Sequence, residues 1–522
     1  MRIRFDSIAP AALFVITRSF GHPRVLFNTD AVQFALGLEN FDLMTHQPHP
    51  PGYILFIMLG RIFRLFTRDE LNALVYSSIF LGLVTVILIQ VFTERRFGRR
   101  AGILAALFFC FSPISWFFSV VGLNYISDAL ISIATALLFF TPFGRETKLS
   151  AFIRALAGAL IIGFRPQAII FVAPTWLYFI AGCKGKRMAA FAGFLTGTVL
   201  WIGATCIAAA TWNIFTPAVD HALRPEVSGY ASLLPSLGKI HRAFWQMRAY
   251  SLFTLSWFGV ILLPFCLLWL LIRGGVSGKF RRFFLVWTLP HILFSLLIFI
   301  IQPGHFVYLL PPLVLLLAVP LARIAEGGNW QRALLQGLSI LVVISMASYT
   351  IYTGGYKGLS VGYREIERND AAFREAFKLV KSVDDWENSI VLTEYFRHVF
   401  YYLPEVQDVG FVFYSLDKLG DNPLVLPAGR SGRFSPMKAE TVDAEKHIYR
   451  LWLEGKYAKV IYLGGYKWRS YDSKLKDLSF IDAAEPWAWY ITLHPNDYIY
   501  FGPKRTWWVG DSTQINPPDK GG

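Results

Sequence analysis

The chain has 522 residues, 54% of them hydrophobic and only 16% charged, at a mean hydropathy of +0.44. Soluble domains carry roughly 25% charged residues, so this is not the composition of a water-soluble globular protein. The net charge of +15 sits mostly in short loops between apolar runs, which points to membrane topology rather than to nucleic acid. Sixteen Trp residues suit bilayer interfaces. Four cysteines, Cys110, Cys183, Cys206 and Cys266, lie in or beside apolar runs. They are too few and too scattered for a disulfide framework and read as core or lipid-facing residues. No small-residue cleavage motif follows the first apolar stretch, where Arg18 and His22 stand instead, so no cleavable signal is expected.

A helical span needs about 20 apolar residues. In chain order the predicted spans are 7–20, 70–92, 101–120, 125–142, 151–164, 167–182, 189–211, 251–272, 283–301, 307–323 and 334–353. The first is short, and the two halves of 151–182 are short as well. Arg2 and Arg4 precede the first span. Arg95, Arg96, Arg99 and Arg100 follow the second, and Lys184, Lys186 and Arg187 the sixth. Arg273, Lys279, Arg281 and Arg282 follow the eighth, and Arg323 and Arg332 flank the loop after the tenth. Strict alternation puts all of them on one side, which the positive-inside rule makes cytoplasmic. The N-terminus is then expected inside, and everything after 353 outside.

The loop after the first span reads NTDAVQFALGLENFDLMTHQPHPPGY over 28–53. Asn28 or Thr29 is placed to cap a short helix over 30–40, with Asp30 in its first turn. Either Asp30 only complements the helix dipole, or it does chemistry. PHPPG at 48–52 is stiffer than a linker needs: Pro48, Pro50 and Pro51 fix φ, His49 is pushed to an extended conformation, and Gly52 permits close backbone approach. The plain alternative is a rigid turn into an interfacial helix over 53–66, with Arg61 and Arg64 snorkelling.

Further candidates lie between later spans. Asp128, in SVVGLNYISDAL, sits near the start of a membrane helix, where an acid is costly unless it has polar company. It is otherwise a capping residue at the water boundary. Arg165, in GFRPQ, either meets a phosphate or snorkels. IIQPGHFVYLLPP at 300–312 brings Gln302, His305 and Tyr308 within a turn or two, or is simply a tight re-entry turn at Pro303 and Gly304.

From 354 onward no apolar run reaches membrane length. Residues 362–382 have helical spacing, with Ile366, Phe373, Phe377 and Val380 able to share a face. Short strand-like runs follow at 389–396, 459–465 and 489–493. The expectation is two domains: a membrane domain over 1–353 and an extracytoplasmic α/β domain over 354–522 large enough for its own core. The tail NPPDKGG is expected to be disordered.

The succession of a short first span, a loop bearing Asp30, PHPPGY at 48–53, ERRFGRRAG at 94–102 and NYISDA at 124–129 resembles the GT-C superfamily of membrane glycosyltransferases. That superfamily contains protein O-mannosyltransferases and lipid A aminoarabinose transferases. QPGHFVYLLPPL at 302–313 is similar to the family's late loop and following span. The resemblance covers roughly residues 1–350 by layout and is strongest over 28–60 and 94–130. It implies a polytopic helical GT-C-like fold, a polyprenyl-phosphate-linked monosaccharide donor, a catalytic acid at Asp30 and a second functional acid at Asp128. A single acid, Asp30, stands where many relatives carry a pair, which leaves divalent metal open.

The chemistry follows physically. Polyprenyl phosphate is a good leaving group, so one carboxylate suffices, acting as base on the acceptor hydroxyl; attack from the opposite face then inverts the anomeric carbon. The departing phosphate needs donors, for which Arg165, His305, Tyr308 and His49 are candidates. His46, Tyr53, Asn124 and Gln302 complete the expected substrate-binding set. Asp30, His49, Asp128, Arg165 and His305 are expected to share one outward-facing pocket. The carrier lipid, a protein, lipid or glycan acceptor and a bacterial plasma membrane complete the expectation, with no nucleic-acid partner. Three other classes compete. A transporter or flippase would call for repeated halves, and none is seen. A metal-dependent enzyme would draw on Asp30, Asp42, His46 and His49, but their HxxH spacing lies in a proline loop. A polysaccharide ligase or polymerase would share the lipid-linked substrate.

Overall fold

A computed structural model describes residues 5–141, 147–214, 216, 237–273, 277–298, 302–324, 326, 328–352, 361–393, 395–412, 424–428, 433–436, 439–443, 448–451, 457–464, 478–481, 487–492, 497–502 and 506–511. The tail NPPDKGG lies outside the described residues. The chain divides into two compact units. The first holds Met1–Arg24, Phe34–Leu43 and Pro50–Glu367; the second holds Val25–Gln33, Met44–His49 and Arg368–Gly522.

The first unit is helical throughout, as the apolar runs dictate. Its helices are α1 (Phe5–Arg18), α2 (Thr29–Glu39, whose first turn belongs to the second unit), α3 (Ile54–Thr67), α4 (Glu70–Phe97), α5 (Arg99–Phe111), α6 (Pro113–Val120), α7 (Ile126–Phe140), α8 (Lys148–Leu160), α9 (Ile169–Gly182), α10 (Arg187–Ala208), α11 (Leu237–Arg273), α12 (Gly278–Leu297), α13 (Leu310–Ile324) and α14 (Asn329–Tyr352). Among the described residues six helical segments are long and apolar enough to cross a membrane. A seventh arises if α5 and α6, bent by 59° at Ser112 and Pro113, form one span; Ile8–Arg18, Ile126–Phe140 and Pro166–Gly182 are shorter apolar helices. Length alone therefore supports fewer full crossings than the eleven runs read from the sequence.

Each span boundary has a local cause. Asp69 caps α4 by accepting from the Asn72 amide at 2.8 Å. Gly98, at φ 91°, lets the chain turn from α4 into α5. Gly193 and Gly197 of α10 pack against α8: an added Cβ would lie 2.2 Å from the Phe152 carbonyl oxygen and 2.5 Å from that of Leu156. The constant offset makes α8 and α10 parallel, with both N-termini at one end.

Arg61 and Arg64 of α3 both reach the end of α2. Arg61 donates to the carbonyls of Leu38 at 3.0 Å and Gly37 at 3.2 Å, closing the last turn of α2. Arg64 pairs with Glu39 at 2.8 Å and Glu70 at 2.6 Å. The orphan carbonyls of a helix end attract cations, which accounts for Arg61, while two carboxylates hold Arg64.

The second unit is α/β. Helix α15 (Tyr363–Lys381, whose first turn lies in the first unit) leads to strand β1 (Ile390–Thr393), helix α16 (Phe396–Tyr402) and strands β2 (Asp408–Val412), β3 (Leu424–Ala428), β4 (Arg433–Pro436), β5 (Ala439–Asp443), β6 (Ile448–Leu451), β7 (Lys459–Gly464), β8 (Leu478–Ile481), β9 (Trp487–Thr492), β10 (Asp497–Gly502) and β11 (Thr506–Asp511). A seven-stranded mixed sheet runs β4-β3-β2-β1-β7-β9-β8, and a four-stranded sheet runs β11-β10-β6-β5. β1 pairs in parallel with β2 and with β7, Ile390 facing Asp408 and Val460. The link from β1 to β2 is α16, a crossover as parallel pairing requires. Val391, Val399, Val409 and Ile461 form the core with Val380, and Phe377 packs against it, so the later half of the face read on 362–382 is used there.

Short pieces of the first loop are built into this unit. The Val25 amide donates to Asp370 Oδ1 at 3.1 Å and the Leu26 amide to the Tyr402 hydroxyl at 2.8 Å. His398 Nε2 meets the Leu26 carbonyl at 2.8 Å, and Arg397, 1% exposed, donates to the Thr45 carbonyl at 3.0 Å. Burial pushes the His398 imidazole down to about 4, only partly opposed by that carbonyl, so the ring is neutral near pH 7 and Nε2 carries the donated hydrogen.

Candidate active site

One buried polar cluster of the first unit gathers around Arg165. The sequence forces the arrangement locally. Arg165 precedes Pro166, which disfavours helical φ and ψ, and the helix stops there. A 3-10 turn over Ile161–Phe164 ends, Arg165 takes φ −151° and ψ 86°, and a second turn begins at Pro166. The side chain therefore leaves the helical path and turns inward, where it is 8% exposed.

It does not enter unaccompanied. Arg165 Nε lies 2.8 Å from Asp128 Oδ2, and Nη1 donates to Asn124 Oδ1 at 2.8 Å. The guanidinium stands 4.2 Å from the centre of the Tyr125 ring. Asn124, Tyr125 and Asp128 belong to one turn leading into α7, with the Asp128 amide bonded to the Tyr125 carbonyl at 3.0 Å. That spacing explains how a single turn supplies an anion, an amide acceptor and a π face to one cation. A charge inside a membrane fold is tolerated when paired. The alternatives of a snorkelling Arg165 and a solvent-facing cap at Asp128 therefore fail on burial.

The late loop joins the same cluster. The Tyr125 hydroxyl donates to Gln302 Oε1 at 2.9 Å, and the Tyr125 and His305 rings are 5.7 Å apart. A Cβ on Gly304 would sit 2.4 Å from the Tyr125 ring, so only glycine allows this approach. The QPGH segment is a 3-10 turn over Pro303–Leu309 that runs directly into α13. Tyr308 lies face to face with His291, centroids 5.4 Å apart at 3°, and both rings contact Phe171. Tyr53, at φ 49° ahead of α3, accepts from Gln167 Nε2 at 2.6 Å.

Three polar side-chain atoms of the cluster have no hydrogen-bond partner among the described residues: Asp128 Oδ1, Asn124 Nδ2 and Tyr308 Oη. Asn124 is 2% exposed and Asp128 4%. The guanidinium holds the Asn124 amide by its oxygen, which leaves the NH2 group to another acceptor. Asp128 Oδ1 remains as an acceptor, Asn124 Nδ2 as a donor and the Tyr308 hydroxyl as either.

The other predicted residues fall in the second unit. Asp30 is half-buried in the first turn of α2, and Asn28 is the cap, its Oδ1 accepting from the Ala31 amide at 3.0 Å. His46, at φ 59°, and His49 are buried; Gln47–Pro48 and Pro50–Pro51 are cis. Asp30, His46 and His49 belong to the second unit, and Asn124, Asp128, Arg165 and His305 to the first. Among the described residues no three His, Cys, Asp or Glu side chains come together to hold a metal ion.

Sequence reasoning missed Tyr125, Gln167 and His291. The first two stand beside residues it did select, in NYISDA and GFRPQ. His291 was open to discovery as an ionisable residue inside a span.

No family profile and no curated protein matches the chain. Solved structures do. ArnT from Cupriavidus metallidurans in the apo state aligns at TM-score 0.52 and 13% identity, over 88% of this chain and 92% of that one. ArnT from the same organism bound to undecaprenyl phosphate aligns at TM-score 0.52 and 12% identity over the same shares. The Archaeoglobus fulgidus oligosaccharyltransferase, in complex with Zn and sulfate, aligns at TM-score 0.45 and 14% identity over 77% of this chain, which spans 61% of its length. With a helical membrane unit and a C-terminal α/β unit, the chain shares the overall fold of the two ArnT structures.

Proposed function

We propose that the chain transfers a monosaccharide from a polyprenyl-phosphate carrier to an acceptor hydroxyl, with Asp30 as base and inversion at the anomeric carbon. Asp30 takes the acceptor proton. The acceptor oxygen bonds to the anomeric carbon, and the carbon–phosphate oxygen bond breaks, its electron pair leaving with the polyprenyl phosphate. A phosphate leaving group needs little protonation, so one base is enough. The carrier tail stays in lipid while its headgroup reacts, which accounts for placing such chemistry in a membrane fold. The ArnT structure with undecaprenyl phosphate bound supports a carrier of that kind.

The observation that carries this reading is the buried cluster on Arg165. Asp128 is committed to Arg165 through Oδ2, so we assign it the positioning of that cation rather than a second base. The remaining Oδ1 accepts and Asn124 Nδ2 donates. A hydroxyl can satisfy both, whereas a phosphate dianion offers acceptors only. The cluster is suited to a sugar or acceptor hydroxyl, with His305 and Tyr308 beside it. His46, His49, Tyr53 and Gln302 are assigned to substrate contact.

Purified protein incubated with a polyprenyl-phosphate sugar is expected to release the free carrier phosphate only when an acceptor is supplied. Mass spectrometry of the lipid fraction checks this; carrier left intact with every acceptor tried, by protein shown to be folded, would overturn the reading. The lipid, protein or glycan identity of the acceptor is then read from the product.

We further propose that the loops at 94–100, 184–187 and 273–282 face the cytoplasm and that residues 354–522 form a domain outside, as the basic residues imply. All four natural cysteines are free and buried, so background labelling is low. Asp384→Cys, at an exposed position, should label with an impermeant maleimide in intact cells. Labelling only after lysis would reverse the orientation.

A further inference from the structure

The parallel pair α8 and α10 ends in a cavity unrelated to the Arg165 cluster. It has a volume of about 650 Å3 and is lined by Lys148, Lys184, Lys186, Arg187 and Met188 together with Gly185 and Ala189. Among the described residues no acidic side chain lines it. Lys148 is the first residue of α8 and Arg187 the first of α10. A helix N-terminus carries about half a positive charge and favours anions. Here two such ends and four cationic side chains meet. Sequence asymmetry across a membrane requires basic residues on one side, but it does not require them to line one cavity.

The second observation is apolar. Met188 lines the cavity and is 78% exposed. Phe191, Leu195 and Val199 continue from it at three- and four-residue spacing, and each is about half exposed, so an uncovered apolar stripe descends α10 from the cationic rim. On α8, Leu149 and Ile153 likewise leave the rim one turn apart and exposed. A free phosphate would use the rim and ignore the stripe. A ligand with an anionic head and a hydrocarbon tail uses both.

We propose that this cavity binds an anionic glycerophospholipid, its phosphate among Lys148, Lys184, Lys186 and Arg187 and an acyl chain along the Met188–Val199 stripe. Cations at a bilayer surface attract anionic headgroups, and a converging set turns that general attraction into a site. The assignment stands apart from the transferase reading and from the direction in which the chain is inserted.

The test uses the full chain in a neutral detergent, with bound lipid counted by mass spectrometry of the intact complex. Phosphatidylglycerol is expected to be retained at least about tenfold better than phosphatidylcholine. Glycerol 3-phosphate, which has the head without the tail, should not displace it at equal concentration. Met188→Glu places an anion among the cations without removing a basic residue, and should abolish the preference. Lys148→Gln with Lys184→Gln should do the same, and serves if Met188→Glu does not fold. Equal retention of the two lipids, an undiminished preference in the folded variants, or displacement by glycerol 3-phosphate would each overturn the proposal.

Discussion

Asp30→Asn is expected to lower the initial rate of sugar transfer by about a hundredfold or more while leaving the protein folded. Two accounts of Asp30 compete, and their magnitudes separate them. A first-turn acid that only complements the helix dipole contributes about 0.3–1 kcal/mol to stability and nothing to rate. A general base contributes about 10²- to 10⁴-fold to rate, and a hundredfold loss corresponds to about 2.7 kcal/mol of barrier. Asparagine has the same shape and cannot accept the acceptor's proton. The cap itself is Asn28, whose bond to the Ala31 amide does not involve Asp30, so the helix should survive. Initial rates with lipid-linked donor, read beside the thermal midpoint of the same preparation, decide between the accounts. Near-normal transfer by Asp30→Asn would sink the assignment of the base.

Asp128→Asn and Arg165→Gln are each expected to destabilise the membrane unit severely, and the double variant much less than the two together. Removing one partner of a buried ion pair costs about 3–5 kcal/mol, because the other charge is left without compensation. Removing both exchanges an ion pair for a pair of amides able to bond each other. The 2.8 Å separation and the burial of both side chains place this pair in that class rather than among surface bridges of under about 1 kcal/mol. Thermal midpoints of the four members of the cycle measure the coupling. Additive losses would mean that the two groups do not depend on each other. The folded double variant then reports on function. If the cluster holds a substrate hydroxyl through Asp128 and Asn124, transfer falls even where stability has recovered, and the loss appears largely in KM or kcat rather than in expression. A folded double variant with normal KM and kcat would confine the cluster to a structural role.

The membrane character, the helical nature of the first 350 residues and the α/β nature of the rest were legible in the chain alone. Hydropathy and period are local properties, and in lipid every backbone polar group must be satisfied within its own helix, so a long apolar run has few alternatives. GFRPQ announced the break at Arg165 for the same reason, since the clash with Pro166 acts on the adjacent residue. Candidate residues were found where residue type and position conflict: an acid at the head of a membrane helix, an arginine in an apolar run. What they touch was not legible. Nothing in the spacing says that Arg165 pairs with Asp128, 37 positions earlier, lies over Tyr125 and leaves Asn124 Nδ2 without a partner. Nor does it say that Arg61 and Arg64 hold the end of α2. Nor did the sequence show that Val25, Leu26 and Thr45 bond to Asp370, Tyr402, His398 and Arg397 of the C-terminal unit. Local patterns record the cost of exposing a side chain or bending a backbone. Partners separated by tens to hundreds of residues are chosen by helix packing and by the need to compensate each buried charge, and only the tertiary structure settles that choice.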